Sequence, residues 1–266
     1  MKIFITAVAI CTIVIACTIT AYASELPEDS GLLWLVNKSN PLSEDFQPTD
    51  LVEYRKAKVC RPAMEAFEKM LAVMEAEGIS GLCLQSAYRP YGYQKAIFNQ
   101  RVKELTAKGK SREEAIEAAS HSIQPPGASE HQLGLALDVS INGKLTKEFA
   151  DTPAGRWIDE NCHKFGFIIR YPKSKTEVTD IVYEPWHLRY VGAPHAQIIK
   201  EQGLALEEYH QYLAHIHMYV VWGDDSSYYL VRYVDALPEE LVCMEVSSTT
   251  PGRDSGYIIT QLKTPV

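Results

Sequence analysis

Four residues in two short blocks have the types and spacing for metal-assisted hydrolysis. In Ser129-Glu130-His131-Gln132-Leu133-Gly134-Leu135-Ala136-Leu137-Asp138, a histidine and an aspartate stand seven positions apart in a run that otherwise reads as core. Gly134, Ala136, Asp138 and Ser140 alternate with Leu135, Leu137 and Val139, which is the period of a strand. Asp138 therefore shares a face with small residues that leave room beside it. His131 precedes the strand, on the turn leading in, and can fold back over that face.

The second block is Glu184-Pro185-Trp186-His187-Leu188-Arg189-Tyr190. Positions three apart on a regular strand point to opposite faces, so Glu184 and His187 meet only if the strand is irregular. Pro185 supplies the irregularity: Glu184 is expected on a turn, with His187 opening the strand. Two neutral imidazoles and one carboxylate form a three-ligand set for catalytic zinc, which keeps a fourth position for water. A carboxylate that does not bind the metal can then take the water's proton. His131, Asp138 and His187 as ligands with Glu184 as base fit that count. No His-Glu-x-x-His helix anchors the reading, and a histidine or strand aspartate taken singly is more often a structural residue.

The surrounding pattern has to position these groups. Residues 24–58 carry Pro27, Pro41 and Pro48 and read as an extended arm. Arg61 to Glu77 places Met64, Phe67, Leu71 and Met74 on one helical face and stops at Gly78. Ile79 to Gln85 reads as a strand running into Ser86-Ala87-Tyr88-Arg89-Pro90. Tyr93 to Lys108 is a helix, and Ser111 with Glu114 forms a capping box opening another, to about Ser120. Thr152 and Pro153 start a helix that Gly166 ends, burying Trp157, Ile158, Cys162 and Phe165. Phe167 to Tyr171, Ile181 to Tyr183 and Trp186 to Val191 read as strands, the last two as antiparallel neighbours. Pro194 to Gln202 and Glu207 to Ala214 close the domain as helices. Beyond them, 216–222, 228–234, 241–246 and 257–262 are rich in β-formers.

The fold class expected is α+β, a central mainly antiparallel sheet with flanking helices. The division expected is an N-terminal segment over 1–23, the arm over 24–58, a catalytic domain over 59–214 and a small β module over 215–266. The first segment pairs Lys2 with an uncharged run and Ala21-Tyr22-Ala23, the order of a cleaved secretory signal. Val14-Ile15-Ala16-Cys17 also resembles a lipoprotein box, and retention as a membrane anchor is the third possibility.

The hydrophobic fraction of 46% and charged fraction of 23% are those of a globular protein. A net charge of -8 without a basic block excludes nucleic acid as a partner. Of six cysteines, Cys11 and Cys17 fall in the first segment, and Cys60, Cys83, Cys162 and Cys243 suit disulfides or buried thiols equally well.

Three blocks together resemble the VanY-type D-alanyl-D-alanine carboxypeptidases: Ser129 to Asp138, Glu184-Pro185-Trp186-His187-x-Arg189-Tyr190-Val191-Gly192, and Ser86-Ala87-Tyr88-Arg89. The resemblance runs from about Leu35 to Tyr212. It implies Zn2+ held by His131, Asp138 and His187, with Glu184 as base and Arg89 steadying the polarised carbonyl or the substrate carboxylate. Gln94, Ser129 and Tyr88 are the expected substrate contacts, and Trp186 a wall of the pocket. It implies removal of the terminal D-Ala from peptidoglycan stem peptides; with the N-terminal segment, the expectation is an exported protein of the bacterial cell envelope, acting as a monomer. An LD-carboxypeptidase acting on tetrapeptide stems and a non-catalytic wall-binding protein are the alternatives. Ala87 and Pro90 stand where family members often carry glycine and serine, which bears on loop shape. The remaining histidines, including His215 and His217, have no trusted ligand spacing.

Overall fold

The structure, a computed structural model, describes residues 28–223, 226–239, 241, 245–252 and 256–264. The expected signal, Cys11, Cys17 and Cys243 lie outside them. Among the described residues no helix is long and apolar enough to cross a membrane, and Cys60, Cys83 and Cys162 are free thiols.

Of the arm, residues 28–50 form no helix and no strand beyond isolated bridges. Its end folds into an antiparallel hairpin of β1 (Leu51–Tyr54) and β2 (Ala57–Cys60), with Arg55 in the turn at φ 55. Helix α1 (Arg61–Ala76) follows and buries Ala63, Met64, Phe67, Met70 and Met74. Met70 takes the core place assigned to Leu71, which is half-buried beside it. Each fully buried side chain of this size stabilises the fold by roughly 1.5–3 kcal/mol over exposure.

Strand β3 (Cys83–Ser86) is shorter than its apolar run, and α2 (Tyr91–Ala107) begins directly after Pro90. Helix α3 (Arg112–Ser120) opens with the expected capping box: Ser111 Oγ accepts from Glu114 N, and the Glu114 carboxylate accepts from Ser111 N. Strand β4 (Ala136–Ser140) is buried throughout. Thr152 caps α4 (Pro153–Asn161), and a 3-10 turn through Cys162–Phe165 carries the chain to Gly166 and β5 (Phe167–Tyr171). The polar turn that follows contains the short α5 (Thr176–Thr179).

Strand β6 (Glu184–Tyr190) completes a sheet of order β3-β4-β6-β5, antiparallel at every pairing. The expected pairing of Ile181–Tyr183 with this strand does not form. That stretch is not a strand, and β4 and β5 occupy both edges of β6. Helices α6 (Ala193–Gln202) and α7 (Leu206–Ile216) then lead to β7 (Met218–Trp222) and β8 (Tyr228–Val234). With β9 (Glu245–Ser248) and β10 (Tyr257–Lys263), these form a second sheet of order β7-β8-β10-β9. Of the apolar run at 241–246, residues 242–244 lie outside the described residues, and β9 takes in Glu245 and Val246.

The second sheet shares a core with α6 and α7. Val221, Val231 and Ile258 lie in one buried cluster with Ile198, Ile199, Leu206, Tyr209 and Leu213. His195, buried in α6, accepts or donates at both ring nitrogens, to Tyr209 Oη at 2.7 Å and Thr260 Oγ1 at 3.0 Å. The arm crosses to the same sheet, Leu33 N donating to Ser247 Oγ at 3.0 Å and Leu35 N to Thr249 O at 2.9 Å.

Candidate active site

Cross-strand register brings the first polar pair together. Asp138 on β4 stands directly opposite His187 on β6 and opposite Ser86 on β3. Directly opposed residues of an antiparallel sheet project to the same face. Asp138 Oδ1 lies 3.0 Å from His187 Nδ1.

His131 reaches the same carboxylate from a 3-10 turn, Glu130–Leu133, that Gly134 ends at φ 72. A Cβ at Gly134 would lie 2.8 Å from Leu51 Cδ2 and 3.0 Å from Cys60 Sγ, so the hairpin packs where only glycine fits. His131 Nδ1 lies 2.6 Å from Ala87 O, which makes it the protonated nitrogen and leaves the Nε2 lone pair free. Nε2 is 3.1 Å from Asp138 Oδ2 and has no hydrogen-bond partner.

Glu184 arrives differently from the expectation. It is the first residue of β6 and pairs with Tyr171, rather than sitting on a turn. Between the Ile169–Leu188 and Tyr171–Glu184 pairs, β5 advances two positions while β6 advances four. The extra residues bulge around Pro185, which has no N–H to give the ladder. The irregularity places Glu184 Oε2 3.9 Å from His187 Nδ1, on the face a regular strand would deny it.

The three donors lie within 4.8 Å of one another, all buried. The contacts of 3.0 and 3.1 Å compare with roughly 3.3 Å between adjacent donors around a tetrahedral zinc at 2.0–2.1 Å. The orphaned, buried Nε2 of His131 is what a cation would satisfy. On geometry and donor type the residues fit zinc.

Burial sets the protonation states before any metal binds. It holds His131 neutral, with Arg89 adding to the effect, at a pKa of about 4. Burial opposes ionisation of Asp138 too, but His131 and His187 hold its carboxyl well below the usual range. For His187, burial is outweighed by Asp138, Glu130 and Glu184, and its pKa rises to about 9. Burial, with Asp138 adding, pushes Glu184 up to about 7, close to where a proton-transfer group is most effective.

A cleft of about 350 Å³ opens over these groups, lined by Arg89, Gln94, Ser129, Tyr171 and Trp186 among others. Arg89 Nη2 lies 3.5 Å from Asp138 Oδ2. Gln94 is buried and donates to Gln124 O at 2.6 Å, while its Oε1 is unpartnered. Ser129 is buried at the cleft edge. Tyr88 is not among the lining residues; its backbone N–H donates to Lys58 O. Sequence reasoning missed Tyr171, whose ring centroid is 4.9 Å from that of His187, and Gln124, which lines the cleft. Neither carries a one-dimensional signal, because each becomes a neighbour only through the sheet.

A buried donor triad with a poised carboxylate beside it defines the class of the protein, a zinc hydrolase. The profile of the VanY family, described as D-alanyl-D-alanine carboxypeptidase, matches residues 56–193. The chain belongs to that family. YodJ of Bacillus subtilis (strain 168), named as a carboxypeptidase, is 40% identical over 192 residues, 67% of this chain and 67% of that protein. A D-alanyl-D-alanine carboxypeptidase of Enterococcus faecium is 34% identical over 197 residues, 69% of this chain but 58% of that one.

Among solved structures, the zinc complex of a mutant VanY D,D-pentapeptidase from a VanB-type resistance cassette matches with TM-score 0.60 and 37% identity, covering 67% of this chain and 98% of that one. The LD-carboxypeptidase LdcB matches with TM-score 0.61 and 37% identity, over 68% and 86%. The D,D-dipeptidase VanXYg, in complex with a D-Ala-D-Ala phosphinate analogue, matches with TM-score 0.70 and 27% identity, over 88% and 94%.

Proposed function

We propose that the protein removes the terminal D-Ala from peptidoglycan stem peptides, using a zinc held by His131, Asp138 and His187. The observation that carries this reading is the meeting of Asp138, two buried imidazoles and Glu184 at the floor of one cleft. Zinc bound there supplies an acidified water and polarises the scissile carbonyl. Glu184, half-buried and near neutrality, takes the proton at its carboxylate and passes it to the leaving amine. Arg89 presents a planar, permanently charged fork at the cleft wall, suited to the developing oxyanion or the substrate's terminal carboxylate. Gln94 and Ser129 serve as polar contacts along the substrate. Tyr88, outside the lining, has no part in this assignment. Action in the cell envelope, reached by export, goes with such a substrate.

A second reading is cleavage of the free D-Ala-D-Ala dipeptide. It is favoured by the VanXYg likeness, which extends over 88% of this chain where the VanY likeness covers 67%. Purified protein assayed on synthetic pentapeptide stem, tetrapeptide stem and free D-Ala-D-Ala, with and without a chelator, separates the readings. The expected result is D-Ala release from the pentapeptide, lost with chelator and restored by zinc. Turnover of the tetrapeptide alone would replace the reading by the LD activity. Turnover of none of the three would replace it by a binding role.

A further inference from the structure

Behind His187, away from the cleft, lies a cluster of buried charges that the reaction as described does not use. Glu130 is adjacent in sequence to His131, but its side chain is fully buried and does not line the cleft. Its Oε1 accepts from Arg170 Nε at 2.8 Å and lies 2.9 Å from Arg189 Nη1. Both arginines are fixed from their far sides. Arg170 donates to both oxygens of Glu207 at 2.9 and 2.6 Å, and Arg189 donates through Nη2 to Leu32 O at 2.9 Å and Trp34 O at 3.1 Å. One carboxylate oxygen of Glu130 is thus clamped between α7 and the N-terminal arm.

The other oxygen is left over. Glu130 Oε2 is buried without a hydrogen-bond partner, and so is Nε2 of His187. The two face each other at 3.9 Å. A buried donor and a buried acceptor, each lacking any other partner, are complementary groups, and leaving both unmade is costly. Nδ1 of the same imidazole is turned toward Asp138 and Glu184. An imidazole that gives one nitrogen to a cation carries its proton on the other, and the acceptor of that proton fixes the tautomer and the ring's orientation.

We propose that Glu130 is a positioning residue for the metal site, holding the Nε2–H of His187 so that Nδ1 is presented to the cleft. The inference rests on the zinc reading above and extends it. The grip runs from His187 through Glu130 to Arg170 and Arg189, and so to α7 and the arm. The ring of Tyr171, with Arg170 above it at 5.0 Å and His187 at 4.9 Å, closes the same stack.

The test compares two isosteric variants of the same charge cluster in the full chain. Glu130→Gln weakens the acceptor facing His187, whereas Glu207→Gln removes an equal charge from Arg170 without touching the ring. Zinc dissociation constants come from chelator competition, and metal-free stability from urea unfolding. Glu130→Gln is expected to weaken zinc binding 10–100-fold, the usual effect of losing an outer partner of a ligating histidine. Glu207→Gln is expected to lower the urea midpoint while holding the zinc constant within about twofold. Equal effects of both variants on zinc, or none from Glu130→Gln, would overturn the proposal. Should Glu130→Gln fail to fold, 15N spectra of histidine-labelled, zinc-loaded wild type decide: a proton on Nε2 of His187 supports it and a proton on Nδ1 overturns it. Wild type that binds no zinc would sink the metal reading itself, an outcome distinct from wild type that binds zinc while Glu130→Gln binds it equally.

Discussion

Lowering the pH through the neutral range should strip zinc from this protein. Burial opposes a proton on His187, but its contact with Asp138 and the nearby carboxylates of Glu130 and Glu184 hold the metal-free imidazole protonated up to about pH 9. His131 is already neutral, at about 4, and Asp138 is ionised across the working range. One proton therefore competes with the cation for Nδ1 of His187. Because the folded, metal-free pKa is the raised one, apparent affinity climbs tenfold per unit up to about pH 9 and then levels. Between pH 8 and pH 6 the loss is about a hundredfold, or roughly 2.7 kcal/mol. Glu184, at about 7 for reasons of burial, steepens the lower part by losing its attraction as it gains a proton. Chelator competition across pH 6 to 8 measures the slope. Titration calorimetry at pH 7.5 in buffers of different ionisation enthalpy counts the proton, about one per zinc bound. A flat affinity over that interval, with heats independent of buffer, would refute the protonation scheme.

Other outcomes follow from the same geometry. Glu184→Gln should keep zinc and lose nearly all turnover, by a factor of about 10² or more, since the base is gone while the donors remain; near-normal rates would remove Glu184 as base. His187→Ala should lose both zinc and activity, read by metal analysis of the purified variant. Gly134→Ala should destabilise the fold by about 1–3 kcal/mol in urea, because φ 72 and the 2.8 Å approach of Leu51 leave no room for a Cβ. His195 and His210 are pushed down to about 3, mainly by burial, so each is neutral in the folded state. The unfolded chain takes up those protons first. The stability these two groups contribute should accordingly be complete above about pH 6.5 and fall by up to roughly 1.4 kcal/mol per unit for each between there and about pH 3, while His187, with its raised pKa, contributes in the opposite sense; urea midpoints of wild type and of a His195→Gln variant at stepped pH would separate the two.

The chemistry was legible along the chain because it is written in residue types at short range. Alternation of small and large residues through Leu135–Ser140 placed Asp138 on a strand with space beside it, and that strand is β4. The capping box at Ser111 and the Thr152-Pro153 start were equally readable, since a cap depends on three or four neighbouring residues. Pro185 signalled that β6 could not be regular, though it did not show that Glu184 would remain within the strand.

What the letters could not carry is any contact closed by register. Ile181 to Val182 is as apolar as a strand, yet β4 and β5 already satisfy both edges of β6 and leave it none to pair with. Glu130, Arg170, Arg189 and Glu207 lie far apart along the chain and look like ordinary surface charges, but folding buries them as one cluster. By itself the sequence singled out His131, Asp138, His187 and Glu184 as the chemical candidates, and the family the chain belongs to. The tertiary structure alone decided which nitrogen of His187 faces Asp138 and what stands behind it, because those depend on angles between strands and on which charges lose their water.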